Sequence, residues 1–143
     1  MPPISTGASE ILPNHLWMGG LQAFCEVAVD LWVHCAYELR PDGVENTVPR
    51  FLWVRLDDSR ALTPKELVAA KQAAYEAAGA IRSGQRVLIS CSMGINRSGL
   101  VAGLALKYLG WSGAAAIELL RLRRSPKVLA REEYVTILLQ EGI

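Results

Sequence analysis

Two rhythms of apolar residues run along this chain. Short apolar runs of strand length fall at Ile11 to Trp17, Val29 to His34, Phe51 to Leu56 and Arg86 to Ser90. Between the last two, Pro64 to about Arg82 carries small apolar residues (Ala69, Ala70, Ala73, Ala74, Ala77, Ala78) at helical spacing. Thr63 is placed to cap that helix, Pro64 suits its first turn, Glu66 completes a capping box, and Ser83-Gly84 ends it. Helical patterns follow at Ser98 to Leu109, Ser112 to Arg123 and Arg131 to Gln140, with Gly110 closing the first. The alternation predicts one α/β domain over residues 1–143: a central, mostly parallel sheet of four to five strands flanked by helices. No repeat, low-complexity tract or interdomain linker interrupts it. Met1 to Ser9 reads as a loose tail, and Tyr37 to Thr47, with Pro41-Asp42-Gly43, as the longest loop.

The chemistry concentrates in Val87-Leu88-Ile89-Ser90-Cys91-Ser92-Met93-Gly94-Ile95-Asn96-Arg97-Ser98-Gly99. An apolar run delivers Cys91 into a loop, Arg97 follows six positions later, and a helical pattern starts at once. Gly94 permits a turn that other residues resist, and Ser98 is placed to cap the helix. Backbone amides of a tight loop opening a helix cradle an anion. The loop residues Ser92, Met93, Gly94, Ile95 and Asn96 supply such amides, and Arg97 adds a planar fork that binds two phosphate oxygens. A phosphate ester entering the loop meets the Cys91 sulfur as nucleophile and leaves a phospho-cysteine. The leaving oxygen must gain a proton, and the water that later attacks phospho-cysteine must lose one. Asp57 and Asp58, just beyond the run Phe51 to Leu56, are the candidates for both tasks.

This stretch resembles the signature of cysteine-dependent protein phosphatases of the dual-specificity type. Other segments extend the resemblance over nearly the whole chain. Glu10 to Gly20, reading EILPNHLWMGG, looks like the family's opening strand-turn-strand. Val48 to Ser59, reading VPRFLWVRLDDS, looks like the strand leading into its acid-bearing loop. Leu119 to Tyr134, with Arg123-Arg124-Ser125-Pro126, is similar to its closing helical region. The family pattern sets the acid directly before a small polar residue, which selects Asp58 before Ser59. It also implies that the Ser98 hydroxyl hydrogen-bonds to the Cys91 thiolate and so improves sulfur as a leaving group. Asn96 either braces the loop through the backbone or faces solvent. Where the family usually has histidine before the nucleophile, this chain has Ser90; His15 and His34, far away in sequence, read as packed or surface residues. The segment Leu31 to Glu38 also resembles a stretch of phosphoinositide phosphatases in which a cysteine pairs reversibly with the nucleophile. That makes Cys35, at the end of a parallel strand, a possible redox partner of Cys91.

Composition narrows the function further. The net charge of +1 gives no general attraction to nucleic acid or anionic membranes. Although 51% of the residues are hydrophobic, no apolar run reaches the roughly eighteen residues of a membrane span. The N-terminus lacks a secretory pattern. Three cysteines form no disulfide framework, and a reactive thiol needs a reducing compartment. The expectation is a cytoplasmic monomer, without cofactor or metal, acting on a phosphoprotein, first at phosphotyrosine and second at phosphoserine or phosphothreonine. Rival readings are a phosphate-binding pseudophosphatase, a sulfur-transfer enzyme, and a phosphatase for phosphoinositides or RNA 5′ ends. The loop adds no lysine, which disfavours highly anionic substrates. Arg121, Arg123, Arg124 and Lys127 form the one basic cluster, read as solvated helix-end charges or a dock for an acidic partner.

Overall fold

The computed structural model describes residues 7–38 and 48–140. Its strands are β1 (Ala8–Leu12), β2 (Leu16–Gly19), β3 (Leu31–Ala36), β4 (Arg50–Leu56) and β5 (Val87–Ser90). They form one five-stranded sheet in the order β1-β2-β5-β3-β4. Every pair is parallel except β1–β2, so the sheet is mixed.

The apolar run Ile11 to Trp17 is thus not one strand but parts of two, folded back on each other. Pro13, Asn14 and His15 make the turn: Asn14 adopts φ +63°, a left-handed conformation asparagine tolerates. The Leu12 carbonyl accepts from His15 N at 3.0 Å, and the Glu10 carboxylate accepts from Asn14 N at 2.9 Å. Apolar residues on both sides of so short a turn read as one run. The strand-turn-strand implied by the resemblance over Glu10 to Gly20 is the arrangement present. Ala8 and Ser9 belong to β1, which shortens the expected tail; its residues 1–6 lie outside the described residues. So do residues 39–47 of the expected loop Tyr37 to Thr47. The run Val29 to His34 shifts by two residues to become β3, because Asp30 ends the preceding loop by accepting Arg86 N at 2.8 Å.

Burial explains why β3 and β5 read as continuous apolar runs: both are covered on two faces. Met18, Ile89 and Val33 stand side by side across the sheet, as do Trp17, Leu88 and Trp32. The first row belongs to the large core, and the second to a smaller one closed by Ala23, Val29 and Phe24. Four helices complete the domain: α1 (Pro64–Arg82), α2 (Arg97–Tyr108), α3 (Gly113–Arg123) and α4 (Glu132–Leu139). Alanines of α1 (Ala70, Ala73, Ala74, Ala77) enter the large core, together with Leu100, Val101 and Leu104 of α2. Ser112 caps α3 by accepting Ala115 N at 3.1 Å. At Gly113 an added Cβ would lie 1.9 Å from the Leu138 carbonyl oxygen, so only glycine lets α3 meet α4 here. Among the described residues no helix is long and apolar enough to cross a membrane.

The capping box of α1 forms as expected. Thr63 Oγ1 accepts Glu66 N at 3.1 Å, and Glu66 Oε1 accepts Thr63 N at 2.9 Å. Glu66 also accepts Asp57 N at 2.9 Å and pairs with Arg60 at 2.7 Å, so the cap anchors the loop after β4 as well. Burial alone raises the Glu66 carboxyl, but the Thr63 and Asp57 amides and Arg60 outweigh it and bring the pKa down to about 2. A folded pKa below the unfolded carboxylate value of roughly 4.3 stabilises fully above that value. The contribution is lost as pH falls through about 2. Glu66→Gln is therefore expected to cost about 1–2 kcal/mol in urea unfolding at pH 7. The gap to wild type should close toward pH 2, and equal stabilities at pH 7 would contradict the assignment.

Candidate active site

The site is built where β5 ends. Cys91 N donates to the Gly19 carbonyl at 3.2 Å, and Leu21 N donates to the Ser92 carbonyl at 3.1 Å, so the end of β2 supports the loop from one side. Gly94 turns the chain at φ +70°. A Cβ there would lie 2.5 Å from the Gly19 carbonyl carbon. The loop then runs directly into α2. That helix begins at Arg97, with Asn96 at the capping position and no side-chain cap bond. Ser98 is therefore not the cap expected from the sequence; it lies inside the first turn, where its hydroxyl is spent on sulfur.

Cys91 is 3% exposed. Its Sγ accepts from Gly94 N at 3.3 Å and Ser98 N at 3.5 Å, and Ser98 Oγ lies at 3.1 Å. The amides of Ser92, Met93, Ile95, Asn96 and Arg97 donate to no protein acceptor among the described residues. Asn96 braces the loop from outside: its Oδ1 accepts Arg131 N at 3.0 Å.

Arg97 is buried, with two edges in different use. Its Nη1 and Nη2 grip the two carboxylate oxygens of Glu38, the second at 2.9 Å. Nη1 also donates to the Leu56 carbonyl at 3.1 Å and Nη2 to Ser92 Oγ at 3.3 Å. The Nε is buried and has no partner among the described residues. On the side edge formed by Nε and Nη2, Nε is the unengaged donor, and a second anion bound there would take Nη2 from Ser92 Oγ. Burial works against the Arg97 charge, but Glu38, Cys91 and Asp58 outweigh it and hold the guanidinium above its ordinary pKa. Reciprocally, the hydrogen bond from Arg97 brings the half-exposed Glu38 carboxyl down to about 2, with help from Ser92, whose Oγ donates to it at 2.9 Å.

The adjacent carboxylates have different partners. Asp57 Oδ1 accepts Ser59 N at 2.9 Å and Ser59 Oγ at 2.6 Å, which holds its pKa below the ordinary value and ties it into its own turn. Asp58 Oδ1 pairs with Arg131 Nη1 at 3.0 Å. The Asp58 charge contributes to holding up the Arg97 and Tyr134 pKa values, whereas the Asp57 charge contributes to that of Arg60.

Ser90 has its own partners. Trp32 Nε1 donates to Ser90 Oγ at 2.8 Å, and His34 Nδ1 lies 2.9 Å from the same oxygen. His34, distant in sequence, is the direct cross-sheet neighbour of Ser90 and is packed, as expected. His15 sits at the far end of the strands, its Nδ1 3.3 Å from the Gln85 carbonyl. One residue beyond the His34–Ser90 pair, Cys35 and Cys91 are both buried in the large core. Burial, then the neighbouring Cys91, push the Cys35 thiol well above its usual pKa, with Arg97 opposing.

The basic cluster is corrected in part. Arg121 donates to the Val128 and Leu129 carbonyls at 2.9 and 3.0 Å, and Arg124 donates to loop carbonyls at Gly94 and Met93. Neither is a solvated helix-end charge; both close backbone acceptors. Arg123 and Lys127 are exposed. Glu38, Arg131 and Arg124 carry no local sequence signal for these roles, since each partner lies at least thirty residues away.

No protein-family model and no curated protein matches the sequence. The fold does have known counterparts. Human DUSP28 is 20% identical, with 96% of this chain and 92% of that chain aligned at a TM-score of 0.76. Tk-PTP in its active form is 26% identical over 96% of this chain and 98% of its own, at 0.73. A human tyrosine phosphatase-like serine/threonine/tyrosine-interacting protein is 17% identical over 93% of each chain, at 0.70. The architecture is that of the dual-specificity-type cysteine phosphatases.

Proposed function

We propose that this chain, built on the fold of the dual-specificity-type cysteine phosphatases, hydrolyses phosphate monoesters through a phospho-cysteine on Cys91. The observation that carries the reading is Cys91 Sγ, bonded by the Gly94 and Ser98 amides in a loop whose other amides have no acceptor among the described residues, with the Arg97 guanidinium held to that loop through Ser92 Oγ. The sulfur attacks phosphorus from the loop floor while the amides of Ser92 to Arg97 and the arginine edge hold the phosphoryl oxygens. The P–O bond to the leaving group breaks, and Asp58 gives that oxygen a proton. A water then attacks phospho-cysteine, Asp58 takes its proton, inorganic phosphate departs, and sulfur leaves with the Ser98 hydroxyl hydrogen-bonded to it. No cofactor or metal enters these steps.

The substrate we assign is a phosphoprotein, with phosphotyrosine first and phosphoserine or phosphothreonine after it. Glu38 on the rim disfavours polyanions such as phosphoinositides or RNA 5′ ends, and exposed Met93 and Tyr37 offer apolar surface beside it. The reading carries with it a cytoplasmic setting, because the thiol must stay reduced.

A binding-only reading has its own support: Glu38 already fills the end of the Arg97 fork and Arg131 holds Asp58. Stopped-flow assay with nitrophenyl phosphate decides between them. Hydrolysis with a phosphorylated-enzyme burst supports the phosphatase, and tungstate binding without turnover supports the binding module. Sulfur transfer from thiosulfate to cyanide would replace both.

Cys35 is proposed as a resolving thiol. Peroxide oxidises the Cys91 sulfur to sulfenic acid; the Cys35 thiol attacks it, a disulfide forms and water leaves. Neighbouring parallel strands lie about 4.8 Å apart, within the roughly 4.4–6.8 Å Cα range of a disulfide. The raised Cys35 pKa makes this capture slow at neutral pH. Peptide mapping after mild peroxide should yield a Cys35–Cys91 linked pair. Sulfinic Cys91 with Cys35 still free would rule the switch out.

A further inference from the structure

Arg124, at the C-terminal end of α3, reaches behind the phosphate loop. Its Nε donates to the Gly94 carbonyl at 2.7 Å and its Nη2 to the Met93 carbonyl at 2.9 Å. Nη1 donates to the Gly7 carbonyl at 3.1 Å and to Ser9 Oγ at 3.0 Å, so the same side chain is anchored on β1 and the residue before it. A trans peptide is planar, and its C=O and N–H point in opposite directions. Holding the Met93 carbonyl outward sends the Gly94 N–H inward, where it meets Cys91 Sγ at 3.3 Å. Holding the Gly94 carbonyl outward turns the Ile95 N–H inward in the same way. Gly94, at φ +70°, gives the flanking peptide planes a freedom that a side chain would remove. Within the loop the Gly94 N–H to Cys91 Sγ bond holds one of those planes, and the Arg124 fork, with several donors at set angles, holds both from outside.

We propose that Arg124 is a positioning residue for the phosphate loop. It sets the peptide planes on either side of Gly94 so that one amide faces the nucleophile and the next faces the bound anion. The proposal rests on reading the loop as an oxyanion cradle. It extends that reading to a side chain more than twenty-five residues downstream, which touches neither substrate nor sulfur.

The test uses the full chain with Arg124→Ala and Arg124→Lys, tungstate as the anion and nitrophenyl phosphate as the substrate. In Arg124→Ala, tungstate affinity and kcat/KM are expected to fall about tenfold or more, since each misdirected amide is a lost oxyanion donor. The Gly94 and Ile95 amide resonances should move. Added ethylguanidinium should restore part of the affinity and the turnover, while ethylammonium at the same concentration should not. Arg124→Lys should recover little, because one ammonium cannot hold two carbonyls at fixed angles. Should Arg124→Ala fail to fold, Arg124→Gln takes its place in the same measurements. Unmoved Gly94 and Ile95 amides with wild-type tungstate affinity would overturn the proposal, even if thermal stability fell. A wild-type chain that binds no tungstate overturns it as well, together with the cradle. If wild type binds tungstate but hydrolyses nothing, only the catalytic reading falls, and the resonances and affinities still decide the role of Arg124.

Discussion

Cys91→Ser is expected to abolish turnover of nitrophenyl phosphate, by at least about 10⁴-fold in kcat, while leaving the fold in place. The hydroxyl is the smaller atom group, and it inherits the Gly94 and Ser98 amides as hydrogen-bond donors. What it lacks is acidity: among the described residues its hydrogen-bond partners are two amides and the Ser98 hydroxyl, none of them a base to take its proton. Tungstate binding should survive, because the amides and Arg97 do not depend on sulfur. Arg97→Lys is the complementary experiment, expected to cost about 10²–10³-fold. A lysine presents a point charge and cannot keep the Leu56 carbonyl and Glu38 at one edge while offering a second edge to phosphate. Circular dichroism and urea unfolding on the same samples separate chemistry from folding. Substantial turnover by Cys91→Ser would sink the phospho-cysteine mechanism.

The second large effect depends on the leaving group. General acid catalysis contributes about 10²–10⁴-fold where the departing oxygen needs a proton. Asp58→Asn should therefore slow an alkyl phosphate by about that factor and nitrophenyl phosphate far less, its phenoxide being stable unprotonated. Asp57→Asn is expected to behave differently. It disturbs the turn that Asp57 closes with Ser59 and so weakens stability with no dependence on the leaving group. The contrast is measurable as the slope of log kcat/KM against leaving-group pKa for each variant. If Asp57→Asn steepens that slope and Asp58→Asn does not, the roles are reversed.

Legibility follows sequence distance. The cap of α1 and the loop from Cys91 to Arg97 are local devices. Thr63, Pro64 and Glu66 sit within one turn, and strand, glycine turn and helix start follow in thirteen residues, so the order of residue types alone discloses their layout. The hairpin at Pro13 to His15 is blurred because its apolar flanks run together, though Asn14 marks the turn. Ser98 shows a different limit. A serine near a helix start reads as a cap, yet in the folded chain sulfur takes its hydroxyl while Asn96 holds the cap position uncapped. Glu38, Arg124 and Arg131 are out of reach for a simpler reason. An arginine at a helix end looks the same in sequence whether water or a loop carbonyl receives its protons.

The strand order has a consequence for how the molecule comes together. β2 and β3 do not pair with each other; β5 lies between them and pairs with both. Until residues 87–90 insert, the sheet is two separate halves, one a local hairpin and the other a parallel pair. The strand that delivers Cys91 is therefore also the keystone of the sheet, and it arrives only after the nineteen-residue α1 has been passed. Joining the halves requires contacts such as Leu16 with Val87, across some seventy positions, the kind of long closure that slows folding. Assembly of the candidate site depends on closure of the sheet. A species in which β5 has not joined both halves cannot hold a formed cradle, so loss of anion binding in denaturant is expected to come no later than loss of the β5 pairings.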